Sequence, residues 1–167
     1  MPRTLASPAA ALADDFQTPV SRGFAMPAEW IPHEATWIAW PHNRGDWPGK
    51  FQPLPWIYAE IVRLLADRER GERVHIFVQP SKGNRFAHHV KKILDRNHVN
   101  LANISLHPQS TNRVWTRDSG PIFVQTKGQA RKKRETALID FKFNAWAKYH
   151  NSRLDDALPA AVARCLR

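Results

Sequence analysis

Trp115 and Asp118 stand three residues apart in Trp115-Thr116-Arg117-Asp118-Ser119-Gly120-Pro121, and the short apolar run Ile122-Phe123-Val124 follows. The run has the length and composition of a buried strand. Gly120-Pro121 then reads as a turn that holds the indole and the carboxylate on irregular backbone at a strand entrance, where function-bearing side chains concentrate. An indole face beside a fixed carboxylate suits a planar cation, because the ring quadrupole attracts the charge and the carboxylate accepts its N–H groups. The same spacing also has a structural reading. In that reading Arg117 or another arginine pairs with Asp118, and Trp115 is ordinary core.

Other residues with chemical potential point elsewhere. His33 and His42 flank the segment Ala35–Trp40, but no complete ligand set with metal spacing accompanies them, so neither a metal nor a cofactor is implied. His88 and His89 are adjacent on an expected helix, so their side chains diverge and face solvent. Cys165 is the only cysteine, which excludes an intrachain disulfide and suits a reducing compartment such as the cytoplasm. Its setting, Ala161-Val162-Ala163-Arg164-Cys165-Leu166, reads as an amphipathic helix carrying a small half-buried thiol.

With 167 residues and a 43% hydrophobic composition, the chain is large enough for one domain with a real core. No window approaches membrane-spanning length. The net charge of +10 raises the possibility of a basic single-stranded nucleic-acid-binding module, with seven tryptophans available for stacking. Against this, the tryptophans cluster with prolines and are not interleaved with the basic residues. The one dense run, Arg131-Lys132-Lys133-Arg134, reads as the solvated tip of a hairpin.

The elements that must position Trp115 and Asp118 follow from periodicity. Residues 1–22 are rich in Ala, Pro and Ser without periodic pattern and read as a loose extension; residues 23–167 form the domain. Strands are expected at Ala35–Trp40, Val74–Val78 and Asn103–His107. A helix entered through Pro53 and Pro55 carries Ile57, Ile61, Leu64 and Leu65 at helical spacing, with Glu60, Arg63 and Asp67 opposite. A second helix spans about Asn84 to Asp95, with Phe86, Val90, Ile93 and Leu94 on one face. Pro121–Gln125 and Thr136–Phe143 pair as a hairpin. Asp155-Asp156 open a last helix that runs to Arg167. Alternating strands and helices with one hairpin give an α/β class.

Several stretches together resemble one family. Met26-Pro27-Ala28-Glu29-Trp30-Ile31-Pro32-His33-Glu34, Trp40-Pro41-His42-Asn43, Trp47-Pro48-Gly49-Lys50-Phe51, Pro55-Trp56-Ile57-Tyr58-Ala59-Glu60-Ile61-Val62, the Trp115 segment and Phe143-Asn144-Ala145-Trp146-Ala147-Lys148-Tyr149 occur in order. They are similar to the agmatine deiminases, which belong with the bacterial-type peptidylarginine deiminases. The resemblance implies a pentein fold, a five-bladed pseudo-symmetric α/β propeller, of which this chain would hold roughly the first two blades. It implies the hydrolysis of agmatine to N-carbamoylputrescine and ammonia, with Asp118 gripping the guanidinium and Trp115 as an aromatic wall. The family's His-Gly-His-Val-Asp-like segment and the glycine-rich segment bearing its nucleophilic cysteine have no match. The resemblance therefore implies the front part of a longer enzyme, with no catalytic residue in this chain and the missing C-terminal part as a potential partner. Peptidylarginine deiminases continue Arg-Pro-Arg after the asparagine that matches Asn144, to meet a peptide carboxylate. Ala145-Trp146-Ala147 stands there instead, which favours agmatine over peptidylarginine.

Overall fold

The computed structural model describes residues 2–4, 18–67, 71–126 and 134–166. Three parallel strands form its central sheet: β3 (Ala35–Ala39), β4 (Arg73–Val78) and β5 (Ile104–Pro108), in the order β3-β4-β5. Parallel neighbours need crossovers, which α1 (Leu54–Leu65) and α2 (Arg85–Arg96) supply. A second, antiparallel sheet has the order β1-β7-β6-β2, from Pro2–Thr4, Thr136–Phe141, Ile122–Thr126 and Phe24–Ala25. The expected strands and the β6–β7 hairpin are all present, and the chain is a mixed α/β protein. The hairpin tip at 131–133 lies outside the described residues; Arg134 is exposed. Of the segment expected to be a loose extension, Pro2–Thr4 pairs antiparallel with β7 and residues 18–22 form hydrogen-bonded turns, while 5–17 lie outside the described residues.

Alternation along β4 assigns the two faces of the parallel sheet. Val74, Ile76 and Val78 point toward both crossover helices and join Trp40, Ala59, Val62, Ala66, Val90, Ile93, Leu94 and Val99 in one core. Phe77 points the other way, with Ala39, and meets Val114 and α5 (Leu158–Cys165) through Leu158, Ala161 and Val162. Phe123 and Leu138 of the antiparallel sheet pack against this second core. On the same face Trp37 stacks on His75 (centroids 4.2 Å apart) and on His107 (5.2 Å). His75 Nδ1 and His107 Nε2 are 2.9 Å apart.

Three expectations are corrected. Helix α1 carries two apolar stripes, and of the expected Ile57, Ile61, Leu64 and Leu65 only Leu65 packs against the core. Ile57, Ile61 and Leu64 are exposed, whereas Leu54, Ala59, Val62 and Ala66 are buried. A helix turns only one stripe to the sheet, and the stripe of Ala59 and Val62, continued by Ala66, is the one that shares the core with Val74, Ile76 and Val78. The α2 face agrees with expectation, and His88 and His89 are exposed on it. At the C-terminal end one helix is replaced by two, α4 (Arg153–Asp156) and α5. Asp155 is buried and accepts backbone N–H groups from a neighbouring loop instead of opening the longer helix. Cys165 is exposed, not half-buried. The last turn of α5 runs past Val162, the final residue that its core covers.

Two outcomes follow from this packing. Leu94→Ala should cost about 2–5 kcal/mol in denaturant unfolding, through lost burial plus a cavity, while Ile61→Gln should stay within about 0.5 kcal/mol. Burial holds the His107 imidazole below its ordinary range, and burial with the neighbouring His107 and Arg73 does the same to His75 against the opposing pull of Glu34. A depressed histidine contributes stability that is present above its ordinary pKa and lost as pH falls through its folded value. The thermal midpoint should therefore decline as the pH is lowered from neutrality, and the double replacement His75→Asn/His107→Asn should flatten that decline.

Candidate functional site

Ligand sites in open α/β sheets form outside the carboxyl ends of the parallel strands. Here the loops leaving β3 and β5 meet the loop leaving β7 and enclose a cleft of about 540 Å³. Its lining is Asp46, Arg113, Trp115, Asp118, Trp146, Lys148 and Tyr149. Both residues singled out from sequence thus lie in one cavity.

Trp115 keeps the expected irregular backbone, but that of Asp118 differs from expectation. Asp118 lies on a one-turn helix, α3 (Thr116–Ser119), with Trp115 at its N-cap position and Gly120 closing it. Two side chains compete successfully with an irregular turn. Ser119 Oγ donates to the Trp115 carbonyl (2.9 Å), and Thr116 Oγ1 donates to the carbonyl of Trp37 in the middle of edge strand β3 (3.3 Å). Gly120 N–H returns to the Thr116 carbonyl at 2.7 Å, so close that a β-carbon at Gly120 would lie 2.5 Å from that oxygen.

The ion pairs near Asp118 do not follow the structural reading. Arg117 is paired with Glu29 (2.5 Å), not with its helical neighbour. Arg113 is buried beside Asp46 and Asp155, each at 3.9 Å, and donates to the Asn151 carbonyl (2.8 Å) and to Asn151 Oδ1 (2.6 Å). Its guanidinium also lies over Tyr149, 4.1 Å from the ring centroid. Among the described residues no cation pairs with Asp118. The carboxylate instead accepts one neutral hydrogen bond, from Trp146 Nε1–H to Oδ1 at 3.3 Å. Trp115 is not core either: it is 43% exposed in the cleft and leans on Trp47, with centroids 5.7 Å apart.

The residues that hold this geometry were present in the sequence but carried no sign of their role. Asp155 Oδ1 accepts the N–H groups of Asn112 (2.7 Å) and Arg113 (3.2 Å), and Asp156 Oδ1 accepts that of Phe143 (2.7 Å). One acidic pair therefore ties together the loops that carry Trp115 and Trp146. Burial pushes the Asp155 carboxyl upward, and the two backbone N–H groups and the Arg113 charge oppose that shift. Asp46 is raised by burial in the same way, against Arg113, His42 and the Asn43 amide. His42, weighed as a metal-flanking residue, approaches the Thr111 carbonyl (3.1 Å), to which Gln79 also donates (3.0 Å). His33 lies 3.7 Å from Glu72, outside the cleft.

Trp146 is presented by unusual backbone. Ala145, Trp146 and Ala147 have φ of 51°, 59° and 56°, three successive non-glycine residues in the left-handed region. Each costs on the order of 1–2 kcal/mol there. Asn144 supports the turn by accepting the Ala147 N–H (3.3 Å), and Phe143 and Tyr149 meet the Trp146 indole edge-on.

Comparison with known proteins yields one consistent picture. The profile of the Porphyromonas-type peptidyl-arginine deiminases matches residues 25–167. An agmatine deiminase of Pseudomonas aeruginosa is 31% identical over 139 residues, covering 83% of this chain and 33% of the relative. An agmatine deiminase of Ectopseudomonas mendocina is 30% identical over 133 residues, covering 79% of this chain and 31% of the relative. A C. jejuni agmatine deiminase solved with substrate bound superposes with a TM-score of 0.62 at 23% identity, over 84% of this chain and 36% of its own. The chain spans about a third of the length of the relatives it matches.

The strained turn and the closed helix make opposite predictions. Ala147→Gly should stabilise the chain by up to about 1 kcal/mol, because glycine adopts positive φ without steric cost. Gly120→Ala should destabilise it by about 1–3 kcal/mol through the clash with the Thr116 carbonyl. Thermal midpoints of the two variants check both directions.

Proposed function

Because the chain belongs to the Porphyromonas-type peptidyl-arginine deiminase family, we propose that its cleft holds the guanidinium of agmatine for hydrolytic deimination to N-carbamoylputrescine and ammonia. The observation that carries this reading is that, of the two carboxylates lining the cleft, Asp46 lies beside Arg113 and Asp118 has no ion-pair partner among the described residues. Asp118 faces the cleft without a cationic partner among the described residues, while the arginines on either side of Trp115 are spent on other acids. A guanidinium presents N–H groups in a planar fork that a carboxylate accepts bidentately. Trp115, tilted 32° against Trp47, supplies the aromatic face for the same cation.

The cleft lining contains neither a cysteine nor a histidine. Deimination needs a nucleophile on the guanidinium carbon and an acid for the departing ammonia. The residues described thus bind and orient, and the bond-breaking groups of the family have no counterpart among the residues lining the cleft. Agmatine is favoured over a peptidylarginine because no arginine follows Asn144 in the turn beside Asp118. We read residues 23–167 as the opening part of a pentein deiminase domain, roughly two of its blades, preceded by an extension at 1–22 and working in the cytoplasm. Among the described residues no helix is long and apolar enough to cross a membrane.

Titration calorimetry with the 167-residue chain tests the reading. Agmatine should bind, and Asp118→Asn should weaken it at least about tenfold, or ~1.4 kcal/mol. No ammonia should be released. Undiminished binding in the variant removes Asp118 from the site. Tighter binding of an arginyl peptide than of agmatine retains the guanidinium site and overturns the substrate.

A further inference from the structure

A second constellation lies on the other core of the parallel sheet, and none of its members lines the cleft. Cys165 Sγ, exposed at the end of α5, lies 3.4 Å from His107 Nδ1 on β5. The opposite nitrogen of that ring, Nε2, lies 2.9 Å from His75 Nδ1 on β4. Trp37 on β3 stacks over both imidazoles, nearly parallel to His75 with an interplanar angle of 11°. Nucleophile, base and a third group orienting the base stand in hydrogen-bonded sequence, which is the arrangement that activates a weak nucleophile.

The tautomers make the sequence directional. Burial disfavours the charged form of both histidines, so each ring carries one N–H near neutrality. When His107 Nε2–H donates to His75 Nδ1, the lone pair of His107 Nδ1 faces the thiol. The same hydrogen bond survives protonation of His107 and supports the imidazolium while it lasts. Among the described residues Arg73 and Glu34 act on His75, and Arg164, the sequence neighbour of Cys165, is directed at Gln109 Oε1 (3.5 Å). A metal is a poorer occupant. The two partners of His107 use opposite ring nitrogens and so cannot share one ion, and no metal-holding group of His, Cys, Asp and Glu occurs among the described residues.

We propose that Cys165 is a thiol–disulfide exchange site, with His107 as its base and His75 as the residue that positions His107. In the reaction the Cys165 S–H proton passes to His107 Nδ1 and the thiolate attacks one sulfur of a small-molecule disulfide. A Cys165–sulfur bond forms as the small molecule's S–S bond breaks, and the departing thiolate takes the proton from His107. The small disulfide is the oxidant: Cys165 is oxidised to a mixed disulfide, and one small thiol is released. Only a thiolate attacks at a useful rate, so removing the base slows the reaction although the sulfur stays exposed.

Oxidised glutathione is the probe, and the rate at which the chain gains one glutathionyl group by mass spectrometry is the readout. The folded chain should react at least about tenfold faster than the same chain unfolded in urea, a threshold below the roughly 10²–10⁴-fold that a positioned base supplies. Cys165→Ser should not react, and His107→Asn should fall to the unfolded rate. His75→Asn, whose amide oxygen can still accept from His107 Nε2–H, should keep most of the rate that His75→Leu loses. A folded chain no faster than the unfolded one, or a His107→Asn variant at the parent rate, overturns the proposal. The folded-versus-unfolded comparison needs no substitution, so it decides the matter even where a variant fails to fold. Equal rates in the two His75 variants would remove His75 from the assignment.

Discussion

The buried carboxylate of Asp155 is the constraint on which the cleft depends. It takes the N–H groups of Asn112 and Arg113 with one oxygen, and its other oxygen faces the Arg113 guanidinium. Those N–H groups belong to a loop between strand and helix, where no ladder is available to satisfy them, and leaving buried donors unpaired is costly. Burying a carboxylate is costly too, which is why its pKa is driven upward. The two liabilities cancel only when both are placed together. Asp156 extends the fixation to Phe143, so a four-residue helix sets the spacing between the loop of Trp115 and the loop of Trp146.

From that fixation follows the charge pattern of the cleft. Arg113 lies between Asp46 and Asp155 and over the Tyr149 ring, and Asn151 takes two of its N–H groups. It is thereby withheld from Asp118 although only four residues separate them. Arg117 is drawn to Glu29 on the solvent side, an exposed pair of little energetic weight but sufficient to turn the guanidinium away. What remains at Asp118 is one hydrogen bond from an indole nitrogen. A carboxylate so placed retains most of its capacity to accept, and Trp146 reaches it only through backbone held in the left-handed region. Strain of this kind persists where surrounding contacts over-determine it, and it concentrates at functional sites.

The parallel sheet serves both ends of the molecule. Its helix-covered face is an apolar core that needs no further account. Its other face is mixed, with Phe77 and Ala39 meeting α5 while Trp37, His75 and His107 form a stacked polar row toward the exposed thiol. Trp37 connects this row to the cleft, since its carbonyl accepts the Thr116 hydroxyl that anchors α3.

Much of this was legible in the amino-acid sequence. Apolar runs bounded by turn residues marked β3, β4, β5 and the β6–β7 hairpin, because a buried strand leaves a short compositional signature. The spacing of Trp115 and Asp118 suited a planar cation and a structural ion pair alike, and the ordered motifs around it indicated the family. Periodicity failed where it was degenerate. Helix α1 offers two apolar stripes, and only its docking on the sheet buries Ala59, Val62 and Ala66 while leaving Ile57, Ile61 and Leu64 exposed. The tertiary structure alone decided which acids claim Arg113 and Arg117, and hence that Asp118 has no cationic partner among the described residues. It alone brought His107 within reach of Cys165, 58 residues away. Local sequence encodes backbone preference and burial; partners far apart in the chain are chosen by which side chains the folded backbone brings within hydrogen-bonding distance.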